Sequence, residues 1–82
     1  MLTEQVVAAR IRNIRLEKDY SQFYIAYKLN ISQNTFSKIE LGNVKLTLKR
    51  LIEIAKVLEV PASDLVKCED EVQSAKLQES YC

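Results

Sequence analysis

Apolar residues along this chain recur at three- and four-residue intervals, and the alternation that marks strands is sparse. Val7, Ile11 and Ile14 form one such stripe and predict a helix over residues 3–18. Thr3 is placed to cap it, with Glu4 beside the positive end of its dipole. Asp19-Tyr20 breaks the pattern, and Ser21 opens a second helix whose Ile25, Ala26 and Leu29 face one way. Asn30 follows, the residue type after glycine that best tolerates a left-handed backbone at a helix end. Ser32, after apolar Ile31, caps a third helix over 32–41 with Phe36 and Ile39 inside and Gly42 as its stop. Thr47 caps a fourth helix over 48–58, with the stripe Leu48, Leu51, Ile54, Ala55 and Leu58. Val60-Pro61 ends it and leads into a short fifth helix over 62–67, apolar at Leu65 and Val66. With one Gly and one Pro in 82 residues, the expected fold is all-α: a single compact five-helix bundle.

The stretch 21–42, SQFYIAYKLNISQNTFSKIELG, places two short helices either side of a tight turn. Neither apolar face is large enough to form a core alone, so the helices fold on each other and on their neighbours. Gln22 opens the first helix, small Ala26 lies at its middle, and Asn30 makes the turn. Ser32 caps the second, Phe36 and Ile39 point inward, and Glu40-x-Gly42 closes it. Two helices crossing steeply need a position without bulk, which Ala26 supplies. In this register the chain resembles the helix-turn-helix DNA-binding domain of the phage-repressor (Cro/C1, or Xre) family, over about residues 7–67. The resemblance implies a lambda-repressor-like fold and a structural salt bridge between Arg15 and Glu40. It also implies homodimerisation through the fifth helix and its flanks. Two positions depart from the family pattern: Leu41 stands where a polar or basic residue is usual, and Leu46 where a proline is usual. The loop between them is expected to be less rigid.

Charge sharpens the picture. Net charge is only +1, but residues 1–58 hold ten Lys/Arg against five Asp/Glu, while residues 59–82 hold two Lys against six acids. A basic working domain, residues 1–67, is thus expected to precede an acidic C-terminal tail, residues 68–82, either disordered or weakly helical. No apolar run is long enough to span a membrane and no leader pattern is present, so a cytoplasmic location is expected. Cys68 and Cys82 lie outside the expected core, and the chain has no histidine. That set makes a metal site improbable, and no cofactor is expected.

The third helix is the expected reader of double-stranded DNA. Gln33, Asn34, Ser37 and Lys38 project opposite Phe36 and Ile39. Gln and Asn pair bidentately with adenine, and Lys donates to guanine, so Gln33, Asn34 and Lys38 are the base-contact candidates. Ser32, Thr35 and Ser37 suit phosphate or thymine-methyl contacts, and Gln22 can aim its amide and a helix N-terminus at a phosphate. Asn43 and Lys45 in the following loop, with Lys49 or Arg50, are further backbone-contact candidates. Phe23, Tyr24 and Tyr27 are more than the one buried face of so short a helix can hold, so some of this surface is expected to stay near solvent. It can pack on the first helix or the tail, or stack beside the DNA backbone; packing is preferred because aromatics at helical spacing are usually core.

These readings converge on a sequence-specific transcriptional regulator of repressor type, binding a palindromic operator as a homodimer. The alternative is a protein-interaction module, an antitoxin or adaptor, using the same fold with little DNA role. An enzyme is not expected: there is no histidine base, no activated cysteine setting and no glycine-rich phosphate loop.

Overall fold

The four long helices share one pattern of punctuation, and that pattern lays out the molecule. In the computed structural model, which describes residues 2–67, α1 spans Glu4–Glu17, α2 Gln22–Leu29, α3 Gln33–Glu40, α4 Leu48–Leu58 and α5 Ser63–Val66. Thr3, Ser21, Ser32 and Thr47 each accept a hydrogen bond from the backbone N–H three residues on, at Val6, Tyr24, Thr35 and Arg50. Each hydroxyl satisfies a donor the helix itself cannot pair. The residue before each cap (Leu2, Tyr20, Ile31 and Leu46) packs against the core, and the residue five positions later (Val7, Ile25, Phe36 and Leu51) is buried within it. This is the arrangement of a hydrophobic staple, which fixes the angle at which the chain enters each helix.

The C-termini are equally uniform. Asp19, Asn30, Gly42 and Glu59 all take positive φ, from 63° to 77°. The next residue's N–H then reaches back five positions: Tyr20 to Arg15, Ile31 to Ala26, Asn43 to Lys38 and Val60 to Ala55. These are Schellman turns, and they pair carbonyls that would otherwise be orphaned at the helix ends. Only one of the four uses glycine. Gly42 must, because a Cβ there would stand 3.1 Å from Gln5 Cγ and 3.2 Å from Gln5 Cα.

Packing follows from these entries and exits. α2 lies against α3 and α4, and α1 runs across α3, α4 and α5. Ile11, Ile25, Phe36, Ile54, Leu58 and Leu65 are the large side chains that lose all contact with solvent. Ala26 is buried at the middle of α2, where its small side chain suits the close approach of α3. Arg10 Nη1 donates to the Leu65 carbonyl at 3.4 Å and so fastens short α5, which has no side-chain cap, to α1. The bundle is all-α with five helices, as the periodicity predicts.

Three expectations are adjusted. The fifth helix is shorter than 62–67, covering only Ser63–Val66. Leu48, counted in the inward stripe of the fourth helix, is 71% exposed: as the first helical residue it lies beyond the edge of the core. The loop expected to be loose for want of a proline is tied at both ends. Gln5 Nε2 donates to the Gly42 carbonyl, and the Leu46 N–H donates to Glu4 Oε2. Val44 and Leu46 pack on the core between these ties. Among the described residues no helix is long and apolar enough to cross a membrane, and no cluster of His, Cys, Asp and Glu could hold a metal. The tail expected at 68–82, with Cys68 and Cys82, lies outside the described residues.

Candidate nucleic-acid interface

α3 divides cleanly into an anchored face and a free face. Phe36, Ile39 and Glu40 are buried, whereas Gln33, Asn34, Thr35 and Lys38 are exposed and Ser37 is half-buried. Buried glutamate is unusual, and its surroundings explain it. Arg15 Nε donates to Glu40 Oε2 at 2.6 Å and Arg15 Nη2 to Glu40 Oε1 at 3.0 Å, a bidentate pair with side chains 9% and 2% exposed. Arg15 Nη1 donates to the Tyr20 carbonyl at 2.8 Å, and Gln22 Nε2 donates to Glu40 Oε1 at 3.0 Å. One carboxylate therefore joins α1, the start of α2 and the last turn of α3. The charges can stay inside because every oxygen of the carboxylate has a donor.

This network changes the expected setting of Gln22. Its amide is not held outward: one N–H is given to Glu40, and the residue is half-buried. What it still offers an anion is its second amide hydrogen and the backbone N–H groups of the first turn of α2, for which the helix supplies no acceptor.

Ser32 is likewise committed. Its Oγ accepts from the Thr35 N–H at 3.0 Å and donates to Thr35 Oγ1 at 2.9 Å, so Thr35 retains the outward hydroxyl proton. Gln33 and Asn34, the first two residues of α3, carry no side-chain partner within the described residues and lie beside exposed Lys38 on the same face. Asn43 and Lys45 are exposed on the loop tied to α1. The sequence-derived candidates on α3 and its following loop are thus exposed, apart from half-buried Ser37, while Arg15, Glu40 and Gln22 form the network that anchors α3 from within.

The aromatic residues of α2 exceed its inward face, as expected, and the packing preferred for them is missing at Phe23 and Tyr27. Phe23 is 64% exposed and Tyr27 71%, because the inward positions of this eight-residue helix belong to Ile25, Ala26 and Leu29. Tyr24 borders solvent, its ring centroid 4.8 Å from that of half-buried Tyr20 with the two planes tilted by 41°, and with Lys28 Nζ 5.9 Å above its ring. The Tyr20 hydroxyl titrates above the ordinary tyrosine range, chiefly because the Glu59 carboxylate opposes a second negative charge, with burial and Tyr24 adding to it.

An inward-anchored α3 with a polar outer face, joined to α2 through a turn at Asn30, defines a helix-turn-helix protein. The helix-turn-helix family model matches residues 11–65, and the chain belongs to that family, in its Cro/C1 type. The cryptic phage CTXphi transcriptional repressor RstR of Vibrio cholerae is 30% identical over 59 residues, which are 72% of this chain and 53% of the repressor. The chain therefore spans about half the length of that relative. A mutant of the restriction-modification controller protein C.Esp1396I superposes with a TM-score of 0.70 at 33% identity, covering 92% of this chain and 96% of the controller. The controller C.AhdI from Aeromonas hydrophila shares the fold at a TM-score of 0.72 and 21% identity, covering 76% of this chain and 94% of its own.

Proposed function

We propose that this chain is a sequence-specific double-stranded DNA-binding transcriptional regulator of repressor type that places α3 in the major groove. The observation that carries this is the division of α3. Its inner side is pinned by Phe36, Ile39 and the Arg15–Glu40 pair, while Gln33, Asn34 and Lys38 stand free at its N-terminal and central turns. Amide side chains on a helix held this firmly pair bidentately with adenine N6 and N7, and lysine donates to guanine O6 and N7. The N-terminal residues of a recognition helix are those that reach base edges.

The remaining candidates position rather than specify. Thr35 and Ser37 flank the reading residues, and Ser32 holds the N-terminus of α3 open by capping it. Gln22 and the first turn of α2 face a phosphate on one side, with Asn43 and Lys45 meeting the backbone on the other. A homodimer through α5 and its flanks presents two reading helices to half-sites about one helical turn apart. The names of the phage repressor and the restriction-modification controllers support this reading.

Selection of binders from a random duplex library by the purified chain, at near-physiological salt, tests it. An enriched palindrome is the expected result. No enrichment, with only weak binding at low salt, overturns it.

A further inference from the structure

Phe23 and Tyr27 stand one turn apart on the outer face of α2, with ring centroids 6.3 Å apart and ring planes within 21° of parallel. Two large apolar groups left together in water, rather than scattered, mark a contact surface. With Ala26, Asn30, Ile31, Ser32 and Gln33 they line an open groove between α2 and the start of α3. Gln33 is the first residue of α3. The groove therefore borders the end of α3 assigned above to base edges, sharing Gln33 with it.

Two further observations select the occupant. No acidic side chain lies in the sequence between Tyr20 and Ile39, while Lys28 and Lys38 in the same stretch are exposed, so α2 and the reading face of α3 themselves present only positive charge to a polyanion. Gln22 is drawn inward to Glu40, which leaves Phe23 as the most exposed side chain of the first turn of α2, beside the backbone N–H groups of Gln22 and Phe23, for which the helix supplies no acceptor; the Tyr24 N–H is taken by Ser21 Oγ. A surface that joins free N–H donors, lysines and a bare ring matches a nucleic-acid strand, which alternates phosphates with apolar sugar faces.

We propose that Phe23, with Tyr27 stacked behind it, packs against a deoxyribose of the DNA strand bordering the groove that α3 enters. This rests on the DNA-binding reading above and adds to it a contact of a different physical kind. Ring-on-sugar packing removes apolar area from water and releases no counterion, so it adds affinity that salt does not erode. It reads no base edge, so it adds that affinity on every sequence.

The test uses the full chain, wild type and the variants Phe23→Ala, Phe23→Tyr and Tyr27→Ala. Each is titrated against an operator duplex and a scrambled duplex over a range of salt concentrations. Thermal unfolding of each variant is followed alongside; these rings lie in solvent, so melting stays near wild type. Phe23→Ala is expected to weaken binding to both duplexes about tenfold, the size of change that corresponds to roughly 1.4 kcal/mol. The slope of log affinity against log salt stays as in wild type. Phe23→Tyr keeps the ring and binds nearly as wild type, and Tyr27→Ala shows a smaller loss of the same form. Unchanged affinity for both duplexes in Phe23→Ala overturns the proposal and transfers the aromatic face to a protein partner. A loss confined to the operator also overturns it, since that would be base reading. If wild type itself binds neither duplex at low salt, the DNA-binding reading falls and this contact falls with it.

Discussion

Arg15 and Glu40, twenty-five positions apart in the chain, meet as a bidentate ion pair in which neither side chain is more than a tenth exposed. Among the described residues these are the two buried charged side chains, and their pairing joins α1 to the last turn of α3. Its geometry sets the tilt of α3 through the carboxylate, and Gln22 shares that carboxylate from α2. Breaking one side leaves a buried charge with no counterpart, which costs far more than the intact pair contributes. Glu40→Ala or Arg15→Ala is therefore expected to lower stability by about 3–5 kcal/mol. The joint replacement Arg15→Met with Glu40→Leu is expected to recover most of that loss. Urea unfolding midpoints decide it; single variants that lose under about 1 kcal/mol contradict a desolvated pair.

The four Schellman turns give substitutions of opposite sign. Asp19 holds φ at 63° on an exposed turn, where glycine relieves the Cβ clash of a left-handed residue. Asp19→Gly is expected to gain up to about 1 kcal/mol after the entropy of the unfolded glycine is deducted. Gly42 has a similar φ, 77°, but a Cβ there would press on Gln5, 3.1 Å from its Cγ and 3.2 Å from its Cα. Gly42→Ala is expected to cost about 1–2 kcal/mol from backbone strain, and more where Gln5 cannot yield. Thermal unfolding of the two variants, measured together, shows whether the signs differ.

Phosphate and base contacts separate by their salt dependence. Lys45→Ala, on the loop after α3, is expected to weaken binding evenly across operator variants and to reduce the salt slope by about 0.9. Lys38→Ala is expected to change the order of preference among operator variants. Titrations at several salt concentrations on a set of single-base variants measure both effects.

Much of this architecture was readable because short-range rules acted alone. All four hydroxyl caps, at Thr3, Ser21, Ser32 and Thr47, are visible as a polar residue before an apolar period. Asn30 and Gly42 announce left-handed turns by residue type, but Asp19 and Glu59 do not: the Schellman bonds hold them there against their own preference. Leu46 stands where the family pattern has a proline, but its place before Thr47 makes it the staple of α4, and its N–H is used by Glu4. A proline there would have no such donor. Gln22 illustrates the limit at the candidate site. Its position at the start of α2 gives it the right place, but only the three-dimensional placement of Glu40 shows where its amide goes. Phe23 and Tyr27 have the spacing of core residues, and what leaves them outside is that Ile25, Ala26 and Leu29 already fill the inward face of α2.

The most direct measurement is the affinity of wild type and Gln33→Ala for an operator half-site and for every single-base-pair variant of it. The account predicts that Gln33→Ala loses discrimination at one base pair, by roughly 1–3 kcal/mol, and keeps wild-type preference at the others. Equal weakening at every position would contradict it and remove Gln33, and with it the exposed face of α3, from base reading.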